Sequence, residues 1–386
     1  MQMWVYVVRR LLLLIPVVLG VMTITFILVS GIPSNQRCLS QFGPPPIHGG
    51  EQAISAYYAH CYKVLGLNVP VYQQWAVYMG NTLDFHWGNV GNFTAAAAVQ
   101  PFITGQPVTT VLGWLLPYTI ELALLSLAII LIVAIPLGRL AAVYRNRPVD
   151  QASRVMSFSG FAIPSFLLGS LALIGAVLVL YNLNLASACN GPFNALHGSW
   201  PAAGCMPGSV ASNNNYPPWL VGGIHSTPTG FPTIDAAIHG QWIIAGDTIL
   251  RIIIPALIIA YGTIAVLLRF VRNSMLEVMN LDFIRTARAK GVTEHVVTKR
   301  HAGRNSLNVT ITVLGLTFAF FIGGFPIIEE VFGLNGVGRA LALSVLQPYD
   351  FGLIFGTTIL FTLIVVIANI IVDVVYAYLD PRVRLG

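Results

Sequence analysis

The sequence predicts an all-α integral membrane protein that crosses the bilayer six times. Of its 386 residues, 56% are hydrophobic and only 9% are charged, whereas an average soluble domain has roughly 25% charged residues. So few charged side chains cannot cover a water-exposed surface, and much of the surface must therefore face lipid. Long apolar stretches and an uneven placement of basic residues complete the prediction.

Six apolar stretches are the predicted transmembrane helices. Each approaches or exceeds the ~20 residues that a helix needs to cross ~30 Å of hydrocarbon. The first resembles a signal peptide in position, but its 19 uncharged residues are more than the ~7 to 15 of a signal-peptide core. No convincing cleavage site follows it, and we interpret it as a retained span. The predicted spans are Leu11–Val29, Leu112–Leu137, Val155–Tyr181, Ile252–Leu268, Val309–Ile328 and Phe351–Val372.

Basic residues predict the orientation of these spans. Sixteen of the twenty Lys and Arg residues lie at the two termini, between spans two and three, or between spans four and five. The other three loops hold only Arg37, Lys63, Arg251 and Arg339. Because cytoplasmic loops carry the excess of Lys and Arg, both termini are predicted in the cytoplasm of a multi-pass cell-membrane protein. The net charge of +6 reflects this bias and does not indicate nucleic-acid binding.

Two large segments, residues 31–110 and 182–247, are predicted outside the cell membrane. Both are rich in Gly, Pro, Asn and aromatic residues and show little periodicity, which is typical of irregular folded segments. Only Glu51 to Leu65 has the spacing of a short helix. The prediction is therefore of large irregular extracytoplasmic insertions.

All four cysteines fall in these two outer segments. Disulfides form in an oxidising exterior and not in the cytoplasm, so their placement supports the predicted orientation. Our hypothesis is that Cys38 pairs with Cys61 and Cys189 pairs with Cys205. The alternative is four free thiols.

The loop between the fourth and fifth spans is the most basic and the most clearly patterned. Asp282 is placed to cap a short helix that runs to Lys290, and Gly291 suits the left-handed position that ends a helix. Thr293 is placed to cap a second helix, with Glu294 in its first turn. The pattern predicts a helix, a glycine turn and a helix. From the residues alone, an amphipathic pair lying on anionic lipid headgroups is an equally good interpretation.

Acidic residues at membrane depth are costly and are therefore functional candidates. Glu121 is a candidate for the translocation path or for pairing between helices. Asp373, at the inner end of the last span, is a candidate for helix pairing or for reaching the interface, with a role in the translocation path as the alternative. Glu329 and Glu330 end the fifth span on the outer side, where they form either a contact for the amino terminus of a peptide or a solvated helix end.

Several chemical functions have no support in the sequence. It contains no G-x-x-x-x-G-K-[ST] phosphate-binding loop, no H-E-x-x-H and no nucleophile elbow. Six of its eight histidines are scattered over the outer segments without the spacing of metal ligands. The sequence therefore predicts no metal site, no cofactor and no catalysis on this chain.

Several motifs resemble one known family. The segments DFIRTARAKGV at Asp282 and RHAGRN at Arg300 are similar to the cytoplasmic coupling loop of B-type permease subunits of dipeptide and oligopeptide ABC importers. Further similar segments occur in the same order along most of the chain. They are VYVVRRLLLLIPVVLGV at Val5, VYQQWAVYMGN at Val71, TIELALLSLAIILIVAIPLGRLAA at Thr119, SGFAIPSFLLG at Ser159 and VVYAYLDPRVRLG at Val374.

This resemblance implies a type I ABC importer permease fold and a set of partners. These are a second homologous permease subunit, two cytoplasmic ATPases that hold ATP and Mg, an external substrate-binding protein, a peptide cargo and membrane lipid. It also implies a domain organisation: residues 1–30 form the first helix, 31–110 an outer segment, and 111–386 the permease domain with five helices. That domain includes the 182–247 insertion and the coupling loop at 269–306.

The resemblance implies that residues of the coupling loop dock onto an ATPase. Gly291 would allow the sharp turn, and the small residues Ala287 and Ala289 would allow close approach to the partner. The implied set is Asp282, Arg285, Thr286, Ala287, Arg288, Ala289, Lys290, Gly291, His301, Arg304 and Asn305. The chain departs from the family at Ser306 to Val309, where a proline is usual, and at Gly303, where leucine is common.

Other functions remain as alternatives at this stage. Members of the same family import nickel complexes or short oligosaccharides. A secondary transporter or channel that does not use ATP would need internal repeats and intramembrane ion sites, and the sequence shows neither clearly. A membrane receptor would use the large outer segments but would leave the inner loop unexplained.

Overall fold

The computed structural model describes residues 3–46, 50–92, 94, 103–182, 229–240, 242–306 and 325–379. Within them, the regular structure is helical apart from one isolated β-bridge between Asn89 and Pro107. The helices are α1 (Met3–Ser30), α2 (Ser34–Phe42), α3 (Gly50–Val64), α4 (Val71–Leu83), α5 (Val108–Val143), α6 (Pro148–Ala162), α7 (Ser165–Asn182), α8 (Pro232–Ile238), α9 (Trp242–Met279), α10 (Asp282–Ala289), α11 (Glu294–Val296), α12 (Phe325–Val331), α13 (Val337–Ser344) and α14 (Phe351–Leu379).

The chain divides into two compact units, and each is described by itself. Unit 1 contains Met1–Arg10, Ile120–Gly333 and Val365–Gly386. Unit 2 contains Leu11–Thr119 and Leu334–Ile364.

Among the described residues, three helices are long and apolar enough to cross a membrane: Val108–Val143, Ile252–Met279 and Phe351–Ile371. They correspond to the second, fourth and sixth predicted spans. Two bent helix pairs, Ile15–Ser30 with Ser34–Phe42 and Pro148–Gly160 with Ser165–Gly175, bring the number of candidates to five if each pair is one span. Most of the predicted fifth span, and the Cys189 and Cys205 pair, lie outside the described residues.

The third predicted span is broken, which corrects the expectation of one helix from Val155 to Tyr181. Helix α6 ends at Ala162, α7 begins at Ser165, and the two are bent by 103°. Pro164 lies between them and lacks an N–H for a helical hydrogen bond. Its ring also disfavours helical backbone at Ile163, which is extended with φ −98° and ψ 116°.

Unit 2 corrects the expectation of an irregular outer segment. Residues 31–110 contain α2, α3, α4 and the start of α5. Helix α3 covers nearly all of the predicted Glu51 to Leu65 helix. The predicted disulfide between Cys38 and Cys61 is present, with Cα atoms 5.8 Å apart, and joins α2 to α3.

A buried carboxylate connects distant parts of unit 2. Asp350 precedes α14, and its carboxylate accepts the N–H of Leu353 at 2.9 Å, which caps that helix. The other carboxylate oxygen accepts the N–H of Gly91 at 2.9 Å. Helices α1, α4 and α14 meet at a small apolar core formed by Met22, Met79 and Ile359.

In unit 1, α6 packs closely against α9. A Cβ atom at Gly160 would overlap Ala265, so a glycine is needed for this approach. Ser159 and Tyr261 share a hydrogen bond of 2.5 Å between their hydroxyl oxygens. Helix α9 has 38 residues and, at 1.5 Å per residue, is about 57 Å long, well beyond the ~30 Å of a bilayer core. Its carboxyl-terminal end leads directly to the candidate site.

Candidate functional site

The candidate site is a helix, a turn and a second helix that follow the end of α9. Helix α10 ends in two hydrogen bonds, from the Gly291 N–H to the Arg288 carbonyl at 3.0 Å and from the Val292 N–H to the Ala287 carbonyl at 3.2 Å. Gly291 has φ +74°. This bond pattern with a left-handed residue is a Schellman motif, and it reverses the chain while satisfying the last helical carbonyls.

One face of α10 is packed inside unit 1. Ile284 and Ala287 are buried in a cluster with Met275 of α9, Ala142 of α5 and Val297 of the following helical segment. Because Ala287 is only 9% exposed, it does not offer the contact with a partner that the resemblance implied. Its small size serves packing against the end of α9 instead, while Ala289 remains exposed.

The two short helices are joined by an ion pair. The Arg288 guanidinium donates to both carboxylate oxygens of Glu294, from Nε at 3.0 Å and from Nη2 at 2.6 Å. These hydrogen bonds lower the pKa of Glu294 and raise the pKa of Arg288. The bidentate geometry fixes the angle across the Gly291 turn more firmly than a single contact would.

The helix caps differ from the prediction. Leu281, not Asp282, is the N-cap of α10, and the Asp282 carboxylate instead accepts a bond from Arg285 at 3.3 Å. Thr293 has the extended backbone of an N-cap residue and occupies that position in α11, but its side chain makes no capping hydrogen bond. Ion pairs of Asp282 with Arg285 and of Glu294 with Arg288 are therefore present instead of the predicted side-chain caps.

The rest of the surface of α10 and its two caps is exposed and combines apolar and basic side chains. Leu281 and Phe283 are 49% and 42% exposed, and Arg285, Thr286 and Lys290 are also exposed. An exposed leucine and phenylalanine beside cations form a surface suited to a groove that is apolar inside and acidic at its rim.

The second helix continues as a π-helical segment from Val297 to Ala302. His301 is half-buried, and its carbonyl accepts the Asn305 side-chain amide at 2.9 Å, while Arg304 is exposed. The Gly303 carbonyl accepts Nη2 of Arg139 on α5 at 3.1 Å. The three predicted residues after Gly291 therefore lie on a segment anchored to α5 and not on the exposed face of α10.

The other candidate residues are not gathered into one site. Glu121 lies on α5 and is half-buried. Glu329 of α12 is 1% exposed, so a solvated helix end is the wrong interpretation for this residue. Glu330 is half-buried. Asp373 lies on α14, and its side chain is outside the described residues.

Sequence reasoning missed a buried charge cluster around Asp150. This carboxylate accepts hydrogen bonds from Arg154 of its own helix and from Arg272 of α9. Pro148 and Asp150 carry the signature of a helix start, with proline first and an acid in the first turn. No sequence signal links Asp150 to Arg272, because that contact spans 122 residues.

These features define a multi-pass helical membrane protein with an exposed helix–turn–helix at the end of a long membrane helix. The sequence profile of the binding-protein-dependent transport system inner membrane component family matches residues 134–385. This chain belongs to that family.

Curated relatives match nearly the whole chain. It is 31% identical to the probable D,D-dipeptide transport system permease protein DdpB of Escherichia coli (strain K12), over 100% of this chain and 99% of that protein. It is 30% identical to the oligopeptide transport system permease protein AppB of Bacillus subtilis (strain 168), over 98% and 99%. It is 31% identical to the dipeptide transport system permease protein DppB of Escherichia coli (strain K12), over 98% of each chain.

Proposed function

We propose that this chain is a permease subunit of an ATP-driven importer of peptides. It would form the translocation path together with a second, similar permease subunit, while an external binding protein delivers the cargo. The observation that carries the proposal is that α10 has a buried side and an exposed side. Ile284 and Ala287 are buried inside unit 1, whereas Phe283 is exposed. The peptide permeases among its relatives support peptide as the cargo.

Because one side of α10 is buried against its neighbours and the other is exposed, α10 can transmit a force from a partner to the rest of unit 1. Its buried side chains pack on Met275 near the end of α9, so a force on its exposed side is passed to α9 and not absorbed by a loose loop. The Schellman turn and the Arg288 to Glu294 pair keep α11 at a fixed angle to α10. A partner that moves α10 would therefore move the inner end of a membrane helix.

The energy would come from partner subunits. The chain lacks a phosphate-binding loop, so ATP and Mg would be held by two cytoplasmic ATPases. Closure of these ATPases on ATP would press on α10 and switch the path between inward and outward access. In this arrangement the coupling loop and both chain termini are cytoplasmic, as the distribution of Lys and Arg predicts, and the path crosses the membrane with six helices per permease subunit.

Binding of the ATPases to α10 tests the proposal. We expect Phe283→Ala to weaken co-purification of the ATPases by about tenfold, because an exposed aromatic residue at the centre of an interface is a typical binding hot spot. Phe270→Ala is the matched control, because Phe270 on α9 is 43% exposed against 42% for Phe283. Undiminished ATPase binding by Phe283→Ala, or equal weakening by both variants, would contradict docking on this face.

A further inference from the structure

Asp150 is the centre of a buried charge cluster in unit 1 that the proposed function leaves unused. Its side chain is 0% exposed. Arg272 of α9 donates to both carboxylate oxygens, from Nε at 2.5 Å and from Nη2 at 3.1 Å. Arg154 donates from Nη2 at 2.9 Å, and the backbone N–H of Asn146 donates at 2.9 Å. Every described bond to this carboxylate comes from a cation or a peptide N–H.

Stability is a weak explanation for such a cluster. Enclosing a carboxylate and a guanidinium removes both from water, and this cost commonly cancels much of their attraction. A well-packed apolar pair would hold two helices together as firmly. What a bidentate guanidinium and carboxylate add is one fixed relative geometry, because both hydrogen bonds require the two planar groups to be aligned.

The cluster lies between the buried contacts of α10 and the start of α6. Arg272 is one turn before Met275, and Met275 belongs to the same buried cluster as Ile284 and Ala287 of α10. Asp150 is in the first turn of α6, and α6 leads through the bend at Pro164 to α7. A continuous series of contacts therefore runs from α10 through the end of α9 to the start of α6.

We infer that Asp150 and Arg272 form a clamp that makes α6 move with α9 when α10 is moved. Both are positioning residues, and neither is expected to touch the cargo. The inference rests on the proposed function and adds the route by which a force on α10 reaches the helix that precedes the bend at Pro164. Other contacts between α6 and α9, such as the hydrogen bond between Ser159 and Tyr261, would then be kept while the two helices move together.

Two arginines on one carboxylate provide a matched test. Arg272→Lys keeps the charge but removes the bidentate bond that crosses between helices. Arg154→Lys makes the same chemical change on a partner that belongs to the same helix as Asp150. Each variant would be assembled with its partner subunits in proteoliposomes, and the amount of assembled complex, the ATPase rate and the uptake of a radiolabelled dipeptide would be measured.

We expect Arg272→Lys to assemble and to hydrolyse ATP while its uptake per ATP falls by about tenfold, within the range of coupling changes seen for single residues. Arg154→Lys should retain a ratio near that of wild type. An unchanged ratio in Arg272→Lys would overturn the clamp, as would an equal fall in both variants. A loss that only follows the amount of assembled complex would also overturn it, because the residues would then be purely structural.

A distance measurement gives a second, independent test. Spin-labelled residues at the exposed positions Gln151 on α6 and Glu277 on α9 should give one narrow distance distribution, with and without ATP, in wild type. The distribution should broaden in Arg272→Lys and not in Arg154→Lys. A wild-type distance that changes with ATP contradicts the clamp. A wild-type complex without ATP-driven uptake contradicts the proposed function instead.

Discussion

The coupling element of unit 1, residues 281–306, and the disulfide-bonded segment of unit 2, residues 34–64, both contain two short helices, but different contacts set how these helices are joined. In the coupling element, the angle between α10 and α11 is set by neighbours in the sequence: a Schellman turn at Gly291 and an ion pair six residues apart. In unit 2, α2 and α3 are joined by a disulfide between residues 23 apart. Local bonds therefore set the turn in one element, whereas a bond between more distant residues joins the two helices of the other.

The largest effect is expected at the buried face of α10. Ile284→Ala should destabilise unit 1 by roughly 2–5 kcal/mol, because Ile284 is 0% exposed and its loss leaves a cavity. Ile132→Ala, at a 71% exposed position on α5, is the control and should change stability little. Thermal unfolding of both variants in the same detergent measures the difference, and equal shifts would show that α10 is not anchored through Ile284.

Removal of the disulfide is the next test and should affect only unit 2. By the loop-entropy relation, replacing Cys38 and Cys61 by alanine should destabilise the segment by about 3 kcal/mol. Arg37 and Lys63 are the only trypsin sites in residues 31–107. Cleavage after Lys63 should therefore accelerate in the purified protein, whereas cleavage after exposed Lys290 should not. Equal acceleration at both sites would mean that the two elements are not independent.

Asp350 tests whether a polar contact over a long sequence distance holds unit 2 together. In wild type the two carboxylate oxygens of Asp350 accept the N–H groups of Gly91 and Leu353. The amide of Asp350→Asn has only one acceptor oxygen, so one N–H loses its partner and unit 2 should be destabilised by about 1–3 kcal/mol. Asp282→Asn, at a carboxylate that is 95% exposed, is the comparison and should be nearly neutral. Hydrogen exchange of the Gly91 amide measures the effect directly, and unchanged protection would exclude the proposed bond.

The smallest effect is expected at the Arg288 and Glu294 pair, because both side chains are largely exposed. Glu294→Gln should cost about 0.2–1 kcal/mol. The pKa of Glu294 is lowered from 4.5 by Arg288, so the pair contributes stability above that value and loses it as the pH falls through the folded pKa. Exchange of the Val292 amide should thus depend on pH in the acidic range below 4.5 in wild type and not in Glu294→Gln. The same dependence in both would assign it to another group.

Sequence patterns predicted the elements that depend on local chemistry. The apolar stretches became α5, α9 and α14, and the glycine turn with its two helices lies where the motif at Asp282 indicated it. The break at Pro164 was also readable, because proline excludes the helical bond that a continuous span would need.

Contacts between distant residues could not be predicted in the same way. Nothing local marks Asp150 as the partner of Arg272, or Asp350 as the acceptor for Gly91. The burial of Ala287 was missed because helix periodicity was not used to assign its inward face, although Ile284 and Ala287 stand three residues apart on one side of α10. Helices α2 and α4 were also missed, because the many turn-forming residues around them predicted irregular structure, whereas tertiary contacts stabilise both helices.

Transport by the reconstituted complex tests the central claim that α10 receives the force of ATP hydrolysis. Gly291→Val and Gly66→Val make the same change at left-handed glycines, φ +74° and +64°, with no atom within 4 Å of a new Cβ in either case. Both carry similar backbone strain, but only Gly291 lies in the coupling element. We predict that Gly291→Val reduces ATP-driven dipeptide uptake by about tenfold or more while Gly66→Val retains it. Equal uptake by the two variants would contradict the account.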